Sequence, residues 1–117
     1  MKVIIAGSRD IIDFVHVMDA IMFAKFDITE VVSGGAVGVD QNGEQWATDC
    51  DIPVKKFPAD WNQFGKSAGY KRNVQMAEYA DALLAVWDGF SRGTNHMIDI
   101  MNKKGKPVFI YQPDESK

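Results

Sequence analysis

Three glycine-bearing turns and two arginines are the residues of this chain best suited to hold an anion. In the first turn Gly7 permits a sharp bend, Ser8 offers a hydroxyl, and Arg9 supplies a planar guanidinium for bidentate contact with phosphate or carboxylate. The second is more specific: Ser33, Gly34, Gly35, Ala36, Gly38 and Asp40 make a small-residue loop entering a helix, as needed where backbone must approach a phosphate closely. It matches neither G-x-G-x-x-G nor the Walker pattern, so neither hydride transfer nor ATP hydrolysis is implied. In the third, Asp88 and Gly89 lead through Ser91 to Gly93 and Thr94, which offer amides and hydroxyls to a second phosphate. Arg72 and Asn73, early in a helix, project from the edge where these turns would meet.

Asp40 and Glu44 share one helix face in its first turns. They either complement the positive end of that helix or bind ribose hydroxyls, and one could act as a general base. The stretch from Pro58 to Ser67 is long for a strand-to-helix connection and reads as a lid. Its Trp61 and Lys66 would suit stacking on a base and pairing with phosphate, although Trp61 and Phe64 could equally plug the core. His16, on the polar side of the first helix, and His96, in the first turn of the last, lack partners at metal-ligand spacing. No metal is expected, and no Ser-His-Asp set can be assembled.

The elements that position these residues follow from apolar runs. Val3 to Ala6 reads as a strand buried on both faces, and Asp10 as the cap of a helix with apolar positions Ile11, Phe14, Val15, Met18, Ile21 and Met22. Thr29 to Ser33 is a second strand, followed by a helix lined by Val39, Gly43, Trp46, Ala47 and Cys50, where Gly43 allows close approach to the sheet. A third strand covers Val54 to Phe57, a helix Ala68 to Ala80, a fourth strand Ala82 to Trp87, a helix Thr94 to Lys104 stopped by Gly105, and a fifth strand Pro107 to Tyr111. Met18, Met22, Met76, Met97 and Met101 fall at core spacing. The pattern predicts an α/β fold, a three-layer sandwich with a five-stranded parallel sheet, as one domain over 1–111 with a polar tail at 112–117. Periodicity does not give strand order, but ligands of such folds bind at the topological switch point, which places Gly7, Ser8 and Arg9 centrally.

At 117 residues the chain suits one domain, and its formal charge of −3 supplies no field to hold a polyanion, which argues against duplex nucleic acid. A lone Cys50 suits a reducing cytoplasm and a packing role. The N-terminal apolar run is too short for a signal peptide, and no membrane span is expected.

Taken together, Ala6-Gly7-Ser8-Arg9, Ser33-Gly34-Gly35-Ala36 through Gly38-Val39-Asp40, Ala68-Gly69 with Arg72-Asn73 and Met76, Ala80-Asp81-Ala82, and Trp87-Asp88-Gly89 with Ser91 and Gly93-Thr94 resemble the SLOG superfamily. More narrowly, they resemble its small YspA/YpsA-related branch, common in bacteria and phages. The resemblance implies a Rossmann-like nucleotide binder related to Lonely Guy phosphoribohydrolases and DNA-processing protein A. Its expected ligand is a nucleotide or an ADP-ribose-like derivative, and a homo-oligomer is expected. The Lonely Guy enzymes carry R-K-x-x-M and P-G-G-x-G-T-x-x-E. Here Arg72 and Met76 fill the first with Asn73 in place of lysine, and the glutamate of the second is Met97. A thioether can neither activate water nor stabilise an oxocarbenium-like centre.

The reading is therefore a cytoplasmic sensor or sponge for a nucleotide-derived small molecule, including a cyclic ADP-ribose-like signal, with no further cofactor required. Gly34, Gly35 and Gly38 would approach one phosphate, Gly93 and Thr94 another, with Arg9 and Arg72 neutralising charge. Asp40 or Glu44 would take ribose and Trp61 would cover the base. The alternative is a hydrolase of nucleotide or ADP-ribose derivatives, with Arg72 orienting phosphate and Glu44 or Asp40 as base.

Overall fold

The computed structural model describes residues 1–113. Of the polar tail, 114–117 lie outside the described residues. Five strands, β1 (Lys2–Gly7), β2 (Glu30–Ser33), β3 (Val54–Lys56), β4 (Ala82–Val86) and β5 (Val108–Tyr111), form one parallel sheet in the order β3-β2-β1-β4-β5. Parallel pairing runs throughout, with Val3 beside Val31 on one flank and Ala82 on the other. The helices are α1 (Phe14–Ala24), α2 (Val39–Asp49), a short α3 (Trp61–Phe64), α4 (Ala68–Tyr79) and α5 (Arg92–Lys103), with a 3-10 turn over Gly65–Ser67.

Side chains alternate along the central strands, which is why the core divides into two layers. Val3, Ile5, Leu84 and Val86 pack with Val17, Ala20, Val39 and Ala47 of α1 and α2. Ile4, Ala6, Leu83 and Ala85 pack with Met76, Ala77, Met97 and Met101 of α4 and α5 on the other face. The Rossmann-like three-layer arrangement is thus as the pattern predicts. Gly43 brings α2 onto the sheet: a Cβ there would lie 2.7 Å from Cγ2 of Ile5.

Several local expectations need correcting. The cap of the first helix is Asp13, whose carboxylate accepts from the Val15 amide at 3.1 Å, while Asp10 lies in the preceding turn. α1 buries Val17 and Ala20 and leaves Val15, Met18 and Met22 exposed, because apolar residues occur on both of its sides and the sheet selects the smaller set. His16 leans toward the Tyr111 ring, 6.4 Å between centroids, instead of facing solvent. Cys50 is exposed at the C-terminal cap of α2 and lies outside the buried core. Trp61 and Phe64 are exposed, so neither plugs the core.

Candidate functional site

β1 lies at the switch point: the chain builds outward through β2 and β3, then returns to add β4 on the opposite flank. Loops leaving β1, β2 and β4 consequently open along one edge and meet there. The Ser8 amide donates to the Val86 carbonyl at 3.1 Å, and the Ser8 hydroxyl accepts from the Asp88 amide at 3.0 Å. These two bonds join the first turn to the third. A Cβ on Gly7 would lie 1.9 Å from the Val86 carbonyl oxygen, so only glycine permits this crossing.

Two cavities share this edge. The first, about 470 Å³, has Ser8, Asp40, Asn73, Asp88, Ser91, Gly93 and Thr94 on its walls, with Met76 and Met97 among its apolar lining. The second, about 450 Å³, is bounded by Gly34, Gly35, Val37, Lys56, Pro58 and Trp61. Arg9, Ala36 and Arg72 line both and form the waist between them. Their charges differ. Beyond the shared arginines the first cavity carries Asp10, Asp40 and Asp88, whereas the second adds only Lys56.

At the waist the Arg72 Nη1 donates to the Gly34 carbonyl at 2.7 Å, and its Nε donates to Oδ1 of Asn73 at 3.2 Å. Gly34 leaves room for this seat, since a Cβ would approach Arg72 Nη1 to 2.5 Å and displace the guanidinium. Burial pulls the pKa of Arg72 down, with Arg9 adding and Asp40 opposing, but a guanidinium stays charged at physiological pH. Asp40, 5% exposed, accepts from the Ala36 amide at 3.3 Å. Its pKa is raised to about 6, chiefly by burial, against the lowering effects of that amide and Arg72. This carboxyl therefore changes charge just below neutrality while facing a cleft.

Both helices that begin at the cleft lack a side-chain cap. α2 starts from Gly38 and α5 from Ser91, and in neither does the capping residue's side chain accept from a backbone amide of the first turn. The amides of those turns carry the partial positive charge of the helix end. Asp88 serves the backbone instead. Its carboxylate accepts from the amides of Phe90 at 2.7 Å and Ser91 at 2.9 Å, which lowers its pKa and shapes the entry to α5. Ser91 and Thr94 hydroxyls lie 3.1 Å apart. Asn73 donates to the Gly93 carbonyl at 3.2 Å and lies 3.2 Å from Nδ1 of His96.

Other expected residues stand apart from the opening. Ser33 and Glu44 line neither cavity; the Ser33 hydroxyl donates to Glu44 at 2.6 Å, and Glu44 pairs with Lys56 at 3.4 Å. Ser33 also accepts the Gly35 amide at 3.1 Å, so the pair braces the glycine loop. Gly38, at φ +82°, backs against the Arg9 carbonyl, where a Cβ would come within 2.7 Å. Gly89, at φ +91°, shapes its turn without lining a cavity. Lys66 sits on the 3-10 turn outside both cavities. Sequence reasoning missed Asp10, Lys56 and Phe90; the signal was that Asp10 and Phe90 lie in the first and third turns and Lys56 at the carboxyl end of β3. Among the described residues no group of three His, Cys, Asp or Glu could hold a metal ion. None of the described helices is long and apolar enough to cross a membrane.

The family model for YspA, cpYpsA-related SLOG proteins matches residues 1–64, more than half the chain and including the first two turns. The chain is 35% identical over 120 residues to the gene 61 protein of Mycobacterium phage D29, covering 94% of this chain and 95% of that protein. No solved structure matches it.

Proposed function

This chain belongs to the YspA, cpYpsA-related SLOG family, and from that premise we propose that it captures a nucleotide-derived small molecule at the carboxyl edge of its sheet, as a sensor or sponge. The observation that carries this reading is the waist: Arg9 and Arg72 stand between two cavities, beside the uncapped starts of α2 and α5. Guanidinium groups and helix-end amides together suit phosphate oxygens. A nucleotide, ADP-ribose or a cyclic ADP-ribose-like signal would place phosphate at the waist, sugar hydroxyls against Asp40, and its base against Trp61. Met97, 1% exposed, lines the first cavity with Met76, which favours holding over hydrolysis. We further place the protein in the cytoplasm as a homo-oligomer, for which the exposed apolar side of α1 is the candidate contact.

One observation favours a second reading, hydrolysis of nucleotide or ADP-ribose derivatives. Asp40 faces the first cavity with a pKa near 6, the property wanted of a general base at neutral pH. Glu44, bonded to Ser33 and Lys56, is less suited to that role. The deciding experiment denatures freshly purified protein and identifies any released small molecule by mass spectrometry. It is paired with chromatography of nucleotides and ADP-ribose after overnight incubation. Released or stabilising ligand with no turnover supports capture; new products support hydrolysis. No ligand and no shift in melting temperature with any of these compounds removes both readings.

A further inference from the structure

A continuous line of hydrogen bonds crosses the cleft from the glycine loop to the start of α5. Arg72 Nη1 reaches the Gly34 carbonyl at 2.7 Å, Arg72 Nε meets Asn73 Oδ1 at 3.2 Å, and Asn73 Nδ2 meets the Gly93 carbonyl at 3.2 Å. The orientation of the Asn73 amide is dictated by chemistry at both ends. Nε of arginine can only donate, so it must face the amide oxygen; a carbonyl can only accept, so Gly93 must face the amide nitrogen. The remaining Asn73 neighbour, Nδ1 of His96 at 3.2 Å, then faces an N–H and must accept. His96 is thereby required to be neutral, with its proton on Nε2.

We propose that Asn73 is a positioning residue whose amide, held by a neutral His96, clamps the Arg72 guanidinium and the first turn of α5 into one anion-receiving unit. This rests on the reading that the cleft takes a phosphate-bearing ligand. Asn73 is 6% exposed, so water does not readily replace a lost partner. A second proton on His96 would set two donors against each other at Nδ1. Flipping the Asn73 amide to accept it would forfeit the bonds to both Arg72 and Gly93. Acid consequently frees Nε of Arg72 from Asn73 and leaves the guanidinium held only through its Nη1 bond to the Gly34 carbonyl. The groups facing His96 are the Tyr70 ring from α4, edge-on at 4.6 Å between centroids, with Asp99 and Lys103 on its own helix. Burial already lowers its pKa, Lys103 adds to the lowering and Asp99 opposes it. Asp40 also faces Arg72 and titrates near 6, so the acid response contains two groups that must be separated.

The test is nitrogen-15 NMR of the full chain across pH, with calorimetry using ADP-ribose and AMP as probes. In the unsubstituted protein His96 should show the Nε2–H tautomer and titrate below the ordinary 6.5. The Arg72 Nε–H resonance should broaden away through that transition. His96→Asn places a non-titrating oxygen where Nδ1 was and should keep the Arg72 resonance to lower pH. Asn73→Leu should lose the resonance at every pH and weaken probe binding about ten- to a hundredfold. An Nδ1–H tautomer, or an Arg72 resonance indifferent to both His96 protonation and Asn73→Leu, overturns the clamp. If the NMR behaviour holds but neither probe binds nor stabilises the protein, the clamp stands and the functional reading falls.

Discussion

Replacing Asp40 with asparagine should stabilise the fold at neutral pH while weakening the site. Burial raises the Asp40 pKa from 3.8 to about 6. At about 1.4 kcal/mol per pH unit, keeping this carboxylate ionised above pH 6 costs the folded state about 3 kcal/mol. The sign follows from the folded pKa lying above the unfolded one. The favourable contribution of the protonated group is complete below pH 3.8 and is lost as pH rises through about 6. Asparagine carries no charge to desolvate, but its NH2 must then oppose one of the two backbone amides, Ala36 and Gly7, that donate to the carboxylate, so a net gain of about 1–3 kcal/mol is expected at pH 7.5. Urea denaturation of both proteins at pH 4 and pH 7.5 measures it. Asp40→Asn should exceed the parent at pH 7.5, and the advantage should shrink toward zero at pH 4. A variant less stable than the parent at pH 7.5, or a difference independent of pH, refutes the assignment of Asp40 as a carboxylate held ionised at the expense of stability. Such a group is retained for what it does in the cleft.

Three further outcomes are expected. Arg72→Ala and Gly35→Asp should each abolish retention of a co-purifying small molecule, as read by mass spectrometry of the denatured protein. Gly35 sits at φ +75° with nothing within 4 Å of where a Cβ would stand, so its substitution adds negative charge to the loop without a clash but with backbone strain at the left-handed position. Gly43→Ala should destabilise by about 1 kcal/mol in urea, because crowding of Ile5 outweighs the helix propensity gained. Val15→Asp with Met22→Asp, on the exposed side of α1, should lower the mass found by light scattering while leaving monomer stability nearly unchanged.

Much of the architecture was legible because parallel strands buried on both faces leave continuous apolar runs such as Val3 to Ala6, and because glycine marks the turns. Gly7, Gly34 and Gly38 each sit where a Cβ would strike backbone or Arg72, a demand that composition alone advertises. The buried side of α1 was not legible. Val15, Met18 and Met22 make as good a helical stripe as Val17, Ala20 and Ala24, and only the packing of α1 beside α2 chooses between them. Strand order was equally hidden, since periodicity records burial and not neighbours. In the site, Lys56 reads as a surface charge on a short strand until β3 is placed at the sheet edge beside Trp61. The pairing of Asn73 with His96 joins residues far apart in sequence through the packing of α4 on α5, which no local pattern encodes. Lys66 stands outside both cavities because the lid folds into α3 and a 3-10 turn, a local geometry its sequence does not advertise.

Capture and turnover make opposed demands on the same carboxylates, and the cleft contains few that could serve as a base. Asp88 is committed to the amides of Phe90 and Ser91, and its lowered pKa makes it a poor proton acceptor. Glu44 lines neither cavity and is engaged by Ser33 and Lys56. Met97 offers no proton chemistry. Asp10, the remaining carboxylate of the first cavity, is exposed in its turn, whereas Asp40 is buried beside Arg72. A base must be ionised to act, so hydrolysis run through Asp40 should rise with pH through about 6 and level off above it. Incubating ADP-ribose and AMP with the protein at pH 5 and pH 8 tests this directly. Product formation at pH 8 that is lost at pH 5 and abolished by Asp40→Asn would establish turnover. Activity that survives Asp40→Asn would place the base elsewhere. Binding without product at either pH assigns the ionised carboxyl to the ligand's hydroxyls, the role for which its position against Arg72 suits it.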